Sequence, residues 1–206
     1  MALLFLFDMD DVLYDYDWRA RMRGLSELTG IGFAELRQRW WHDEGEWAAE
    51  AGGFADGETY RRALSAAIGF EVTAEQWVAN RRSAMTPRPD AIAAVGRAAE
   101  LGRVSLLTNN GPLLDEHLAT IAPEIAPLFG DHLRTTSRYG ARKPDPRVFE
   151  RVLEHYEADA ADVFFVDDLP ENVASAASLG ITTYRYGTAE GLLAAIEGFA
   201  AERVSA

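Results

Sequence analysis

Leu3-Leu4-Phe5-Leu6-Phe7-Asp8-Met9-Asp10-Asp11 begins as an unbroken apolar run and stops at an acid. A run of this length and texture reads as a strand buried on both faces, as in the middle of a parallel sheet. Its acidic end places Asp8, Asp10 and Asp11 at the strand's carboxyl edge. The period then changes. From residue 16 to 86 the apolar residues recur at helical spacing, most clearly over 34–41 and 59–68. Thr73-Ala74-Glu75-Gln76 has the form of a capping box. Gly30, Gly52, Gly53 and Gly69 divide this stretch into about four helices, with no strand among them.

Beyond Pro87 and Pro89 helices alternate with short apolar runs. Helices are expected near 90–101, from Pro112, over 144–157, near 170–179 and over 188–202. Strands are expected at 104–107, 163–166 and 182–186, with a weak one at 132–135. Strands alternating with helices build βαβ units and a parallel sheet. The fold class is therefore α/β: a Rossmann-like, doubly wound parallel sheet interrupted by a helical insertion. The expected division is one α/β domain over 1–15 and 87–206, with 16–86 inserted.

Composition narrows the function. The chain has 206 residues, enough for a sizeable core, and no cysteine, which excludes disulfides, thiolate zinc sites and cysteine nucleophiles. Net charge is −13, so neither nucleic acid nor an anionic membrane is an expected partner. The charge is unevenly spread. Residues 16–87 hold 11 acids against 9 arginines, and the remainder holds 22 acids against 11 basic residues. No segment reaches the roughly 18 apolar residues of a membrane span. The run 2–7 is too short for a signal-peptide core and is followed by acids. A cytoplasmic protein, monomeric or homodimeric, is the expectation. Lys143 is the sole lysine, so amine chemistry is confined to it and to the N-terminus.

In an open parallel sheet ligands sit beyond the carboxyl ends of the strands. Here those ends carry Asp8-Met9-Asp10, Thr108-Asn109-Asn110 and Asp167-Asp168, with Lys143 at a nearby loop-to-helix start. Carboxylates crowded in this way call for a cation. An all-oxygen set selects a hard ion such as Mg2+, which keeps room for a phosphate. Asp8 and Asp10 are two apart and share a strand face, so one can attack phosphorus while the other handles the leaving-group proton. Thr108, Asn109 and Lys143 are the candidate phosphate binders. The plainer alternatives are that Thr108 caps the helix at Pro112 and that Asp167 and Asp168 cap the helix after them. Asn172 reads as a turn residue or a support for the acids.

Four segments taken in order, FLFDMDDVL (5–13), LLTNNG (106–111), RKPDP (142–146) and FFVDDLPEN (164–172), resemble the motifs of the haloacid dehalogenase-like superfamily of aspartate-nucleophile phosphohydrolases. The resemblance spans essentially the whole chain and makes 16–86 a helical cap. It implies Asp8 as nucleophile, Asp10 as general acid/base, Thr108 and Lys143 as the phosphate-binding pair, and a Mg2+ site of Asp8, Asp167, Asp168 and the Asp10 carbonyl. Asp11 departs from the family's usual glycine or asparagine at a turn where left-handed backbone is expected, which aspartate tolerates.

Asp10 argues against a 2-haloacid dehalogenase, which lacks the second aspartate. The absence of lysine from 16–87 argues against a phosphonate hydrolase, and the absence of histidine just after the first motif against a β-phosphoglucomutase. A phosphatase remains. The Glu50–Tyr60 stretch and the DDxxxN form of 167–172 are similar to the glucose-1-phosphate phosphatase-like and epoxide-hydrolase N-domain group, which implies a small phosphorylated metabolite, a sugar phosphate first. The alternatives are a 2-haloacid dehalogenase or an inactive binding protein on the same fold. Trp18, Trp40, Trp41, His42, Trp47 and Arg19 are candidates to line the substrate pocket.

Overall fold

The computed structural model describes residues 3–204; Met1, Ala2, Ser205 and Ala206, inside the expected α/β domain, lie outside the described residues. In chain order the strands are β1 (Leu4–Phe7), β2 (Tyr14–Tyr16), β3 (Met85–Pro87), β4 (Arg103–Leu106), β5 (Val163–Asp167) and β6 (Thr182–Arg185). The helices between β2 and β3 are α1 (Trp18–Thr29), α2 (Phe33–Trp40), α3 (Glu46–Glu50), α4 (Gly57–Ile68) and α5 (Ala74–Ser83). After β3 come α6 (Pro89–Leu101), α7 (Pro112–Ile121), α8 (Ala126–Phe129), α9 (Pro146–Tyr156), α10 (Pro170–Ser178) and α11 (Ala189–Val204).

The main sheet has the order β4-β1-β5-β6 and all its pairings are parallel. β1 lies inside it and is buried throughout, because both of its faces are covered. Phe5 and Phe7 join the cluster containing Ala94, Val95 and Ile196 of α6 and α11. Leu4 and Leu6 point the other way, toward Val148, Phe149 and Ala176 of α9 and α10. The two-residue period of the strand thus feeds two cores from one apolar run. β5 repeats the pattern, with Phe164 and Val166 on the first face and Val163 and Phe165 on the second.

Strand order reverses at β1: β4 lies on one side and β5 on the other. Their carboxyl ends open a crevice at this switch point, which is where a doubly wound sheet binds ligands. Asp8, Thr108 and Asp167 all stand there.

Three local expectations need correction. The chain crosses between the sheet and the five helices through an antiparallel ribbon, β2 with β3, which straddles the two borders of the 16–86 stretch expected to hold no strand. The weak strand at 132–135 is a short 3-10 turn at Gly130–His132 followed by a single bridge between Thr108 and Thr135. The helix expected from Pro144 starts two residues later, because Asp145 caps it by accepting from the Arg147 N–H at 3.0 Å. The capping box at α5 is present, with Thr73 and Gln76 satisfying each other's backbone donors.

Candidate active site

The loop after β1 aims the first motif into the crevice. Leu13 and Tyr14 both donate backbone N–H groups to the Met9 carbonyl, and Asp11 N–H bonds the Tyr14 carbonyl at 2.8 Å, closing a tight turn. That turn needs a left-handed residue, and Asp11 supplies it at φ 58°. Aspartate thus takes the left-handed backbone that the sequence led one to expect at this turn.

Lys143 is the hub of the site. It is only 1% exposed, and its Nζ donates to Asp167 Oδ2 at 2.6 Å and stands 3.0 Å from Asp8 Oδ1. The second approach is an ion pair without hydrogen-bond alignment, which leaves the buried Asp8 Oδ1 unbonded. Burial works against the lysine charge, but Asp167 and Asp8 outweigh it and push its pKa up. Asn109 fixes the lysine backbone from both sides, accepting its N–H at 2.9 Å and donating to its carbonyl at 2.8 Å. The Lys143–Pro144 peptide is cis.

Asp167 is wholly buried and held by three groups. Besides Lys143 it accepts the Leu169 N–H at 2.9 Å and Asn172 Nδ2 at 3.0 Å on both oxygens. Asn172 is thus a support for the acids. Thr108 is buried, and its Oγ1 accepts from Asn110 Nδ2 at 2.9 Å. It does not cap α7; Gly111 occupies that position.

Carboxylate oxygens of Asp8, Asp167 and Asp168 lie within 4.8 Å of one another. Burial drives the Asp8 carboxyl well up; Lys143 opposes this, and Asp167 and Asp10 add to it. Asp168 is pushed up to about 6 by burial, with Asp167 and Asp11 contributing. Three crowded acids and one unbonded buried oxygen form a hard, oxygen-only donor set. Such a set suits a divalent cation like Mg2+.

Two cavities meet over this edge. One of about 260 Å3 is lined by Asp8, Asp10, Thr108, Asn109, Lys143, Asp168 and their neighbours. The other, about 370 Å3, runs under the helices and shares Asp10, Tyr16 and Asn109 with the first. It is lined by Trp18, Trp41 and Trp47, as the sequence led us to expect, together with Arg21, Arg37, Glu46 and Glu50. Trp40, His42 and Arg19 do not line it. Trp40 is in the core, its indole N–H on Glu46 at 2.8 Å; His42 turns to the Arg39 carbonyl, and Arg19 is exposed. Glu50 is pushed to about 7 by burial, against the pull of Arg142, whose Nε approaches to 2.5 Å.

The sequence reading missed Arg81. Its Nη2 reaches both oxygens of Asp10, at 2.6 and 2.7 Å, from α5. Nothing distinguishes this arginine from its neighbours in the sequence; only packing singles it out.

The chain is similar to several known proteins. A Mycobacterium tuberculosis protein named Phosphatase MT3486 is 26% identical over 188 residues, covering 87% of this chain and 84% of its own. The D-ribitol-5-phosphate phosphatase of Bacteroides thetaiotaomicron is 23% identical over 188 residues, covering 87% and 89%. Among solved structures, a HAD family enzyme from Bacteroides thetaiotaomicron in complex with magnesium and inorganic phosphate superposes with a TM-score of 0.71. It is 21% identical and covers 91% of this chain and 95% of its own. Among the described residues no helix is long and apolar enough to cross a membrane. The model of the haloacid dehalogenase-like hydrolases matches residues 3–180, and the chain belongs to that family.

Proposed function

We propose that this protein is a Mg2+-dependent phosphomonoester hydrolase acting on a small metabolite, a sugar or polyol phosphate first, through an aspartyl-phosphate on Asp8. The observation that carries this reading is the pairing of a buried Asp8, with one unbonded oxygen, against Lys143 at 3.0 Å, beside an Asp10 that faces both cavities. Two relatives named as phosphatases, one of them for a polyol phosphate, and a neighbour that holds magnesium and phosphate support it.

The residues divide the work as follows. Asp8 attacks phosphorus in line, breaking the bond to the leaving oxygen, and Asp10 gives that oxygen its proton. Asp10 then takes a proton from water, which attacks the acyl phosphate and frees Asp8 with inorganic phosphate. Lys143, Thr108 and Asn109 bind and orient the phosphoryl group, and Lys143 offsets its negative charge. Asp8, Asp168, Asp167 and the Asp10 carbonyl would hold Mg2+, which supplies charge neutralisation at the phosphoryl oxygens. Residues 16–86 act as a cap over a core formed by 1–15 and 87–206. Their wall of tryptophans and carboxylates restricts the leaving group to a small polar molecule.

The test is turnover of p-nitrophenyl phosphate with Mg2+. The native protein is expected to release inorganic phosphate, and Asp8→Asn to lose at least a thousandfold in kcat. Turnover that survives Asp8→Asn, or that ignores EDTA, would overturn the reading.

A further inference from the structure

Arg81 has the largest of the fully buried side chains and shows no solvent exposure. It sits near the end of α5, four residues before β3. Its Nη2 grips both oxygens of Asp10, and its guanidinium carbon stands 3.9 Å from the centre of the Tyr16 ring. Nε and Nη1 are buried with no hydrogen-bond partner. Burying a cation is costly unless it is paired, and idle buried donors add to the cost. A guanidinium serving packing alone would be better placed with acceptors for all three nitrogens. This one spends its entire hydrogen bonding on a single carboxylate.

That carboxylate stands at the seam of the two cavities, where an oxygen leaving phosphorus passes toward the helices. Arg81 itself lines neither cavity, so it does not touch a bound molecule there. An Asp side chain without such a grip would sample several rotamers, and proton transfer requires one geometry held to about 3 Å. The hold extends outward: Arg21 of α1 donates to the Tyr16 hydroxyl at 3.1 Å, fixing the ring on which Arg81 lies.

We propose that Arg81 is a positioning residue for Asp10, presenting its protonated carboxyl group to the leaving oxygen and then, once that proton is given, its carboxylate to water. The helical segment thereby contributes to the reaction through a residue that never contacts substrate. This deepens, and rests on, the reading of Asp10 as the proton-transfer group.

The test compares native protein with Arg81→Met, Arg81→Lys, Asp10→Asn and the Asp10→Asn/Arg81→Met double variant. Each is assayed on p-nitrophenyl phosphate with Mg2+, with circular dichroism to check folding. Proton transfer contributes about 10²–10⁴-fold, so Arg81→Met is expected to lower kcat by roughly 10- to 100-fold with KM unchanged. Arg81→Lys should recover part of the loss. Because Arg81 acts through Asp10, the double variant should be no slower than Asp10→Asn alone. A folded Arg81→Met with native kcat, or an Arg81 loss that multiplies on the Asp10→Asn background, would overturn the proposal. If Arg81→Met fails to fold, Arg81→Lys alone and on the Asp10→Asn background carries the same comparison. Native kcat in Asp10→Asn would instead remove the role of Asp10 on which the proposal rests.

Discussion

The sequence's one lysine is enclosed by Asp8 and Asp167, and its burial makes the energetics lopsided. Two carboxylates share one cation, so deleting it leaves the wholly buried Asp167 and the nearly buried Asp8 with no cation to balance them. Breaking a buried pair by removing one partner typically costs about 3–5 kcal/mol. Lys143→Met is therefore expected to abolish turnover and to lower stability by about that amount at pH 7.5. Lys143 is what opposes the upward push of burial on the Asp8 carboxyl, so without the lysine a proton on Asp8 can stand in for the lost cation as pH falls. The deficit should shrink at pH 5. Chemical denaturation at the two pH values checks this, and an equal deficit at both would refute the argument. At this scale the site is legible where a strand's apolar run ends in a polar group, as at Asp8, Thr108 and Asp167. Lys143 stood out because no other lysine competes with it. Arg81 is one of nine arginines between 16 and 87, and its role depends on which of them packing turns inward.

Between elements, what was readable depended on length. β1 and β5 announce themselves as continuous apolar runs, and the longer helices through period and caps. β2 and β3 are three residues each and contain Asp15 and Pro87, so neither composition nor alternation marks them. They form only because two crossings of the chain lie side by side. α3, likewise, has just five residues. Its connection to the core is made close by glycine: Gly52 has φ +78°, and a Cβ there would stand 2.7 Å from the Ser137 carbonyl oxygen and 3.0 Å from the Gly140 Cα. Both obstacles are backbone and cannot swing away. Gly52→Ala is expected to cost about 1–3 kcal/mol and to disturb Glu50, whose carbonyl accepts from Thr136 Oγ1 at 2.9 Å. Gly96 is the control, since it lies inside α6 with open space around it. Gly96→Ala should gain about 0.5–1 kcal/mol from helix propensity. Thermal denaturation of both variants separates crowding at the contact from a general effect of replacing glycine.

Across the whole molecule the excess negative charge is concentrated outside the helical segment, where 22 acids face 11 basic residues. Part of that excess is the carboxylate cluster at the sheet edge, and its protonation sets how the protein should respond to a cation. Burial raises Asp8 well above the ordinary range and Asp168 to about 6. For an acid whose folded pKa lies above its unfolded value, the folded state binds the proton more tightly. Its contribution therefore favours folding at low pH and is lost as pH rises, for Asp168 between about 4 and about 6. A divalent cation competes with those protons for the same oxygens. Below pH 6 it must displace them, and above pH 6 it meets a Asp168 that is already ionised and takes back the stability lost to repulsion. At a hundredfold excess over Kd such a ligand adds about 2.7 kcal/mol, or roughly 5–10 °C in Tm for a chain of this size. Millimolar Mg2+ is accordingly expected to raise Tm by several degrees at pH 7.5 and by much less at pH 5, with EDTA reversing the gain and Asp168→Asn reducing it at the higher pH. A Mg2+ increment of equal size at both pH values, or one that survives in Asp168→Asn, would place the ion elsewhere than on this cluster.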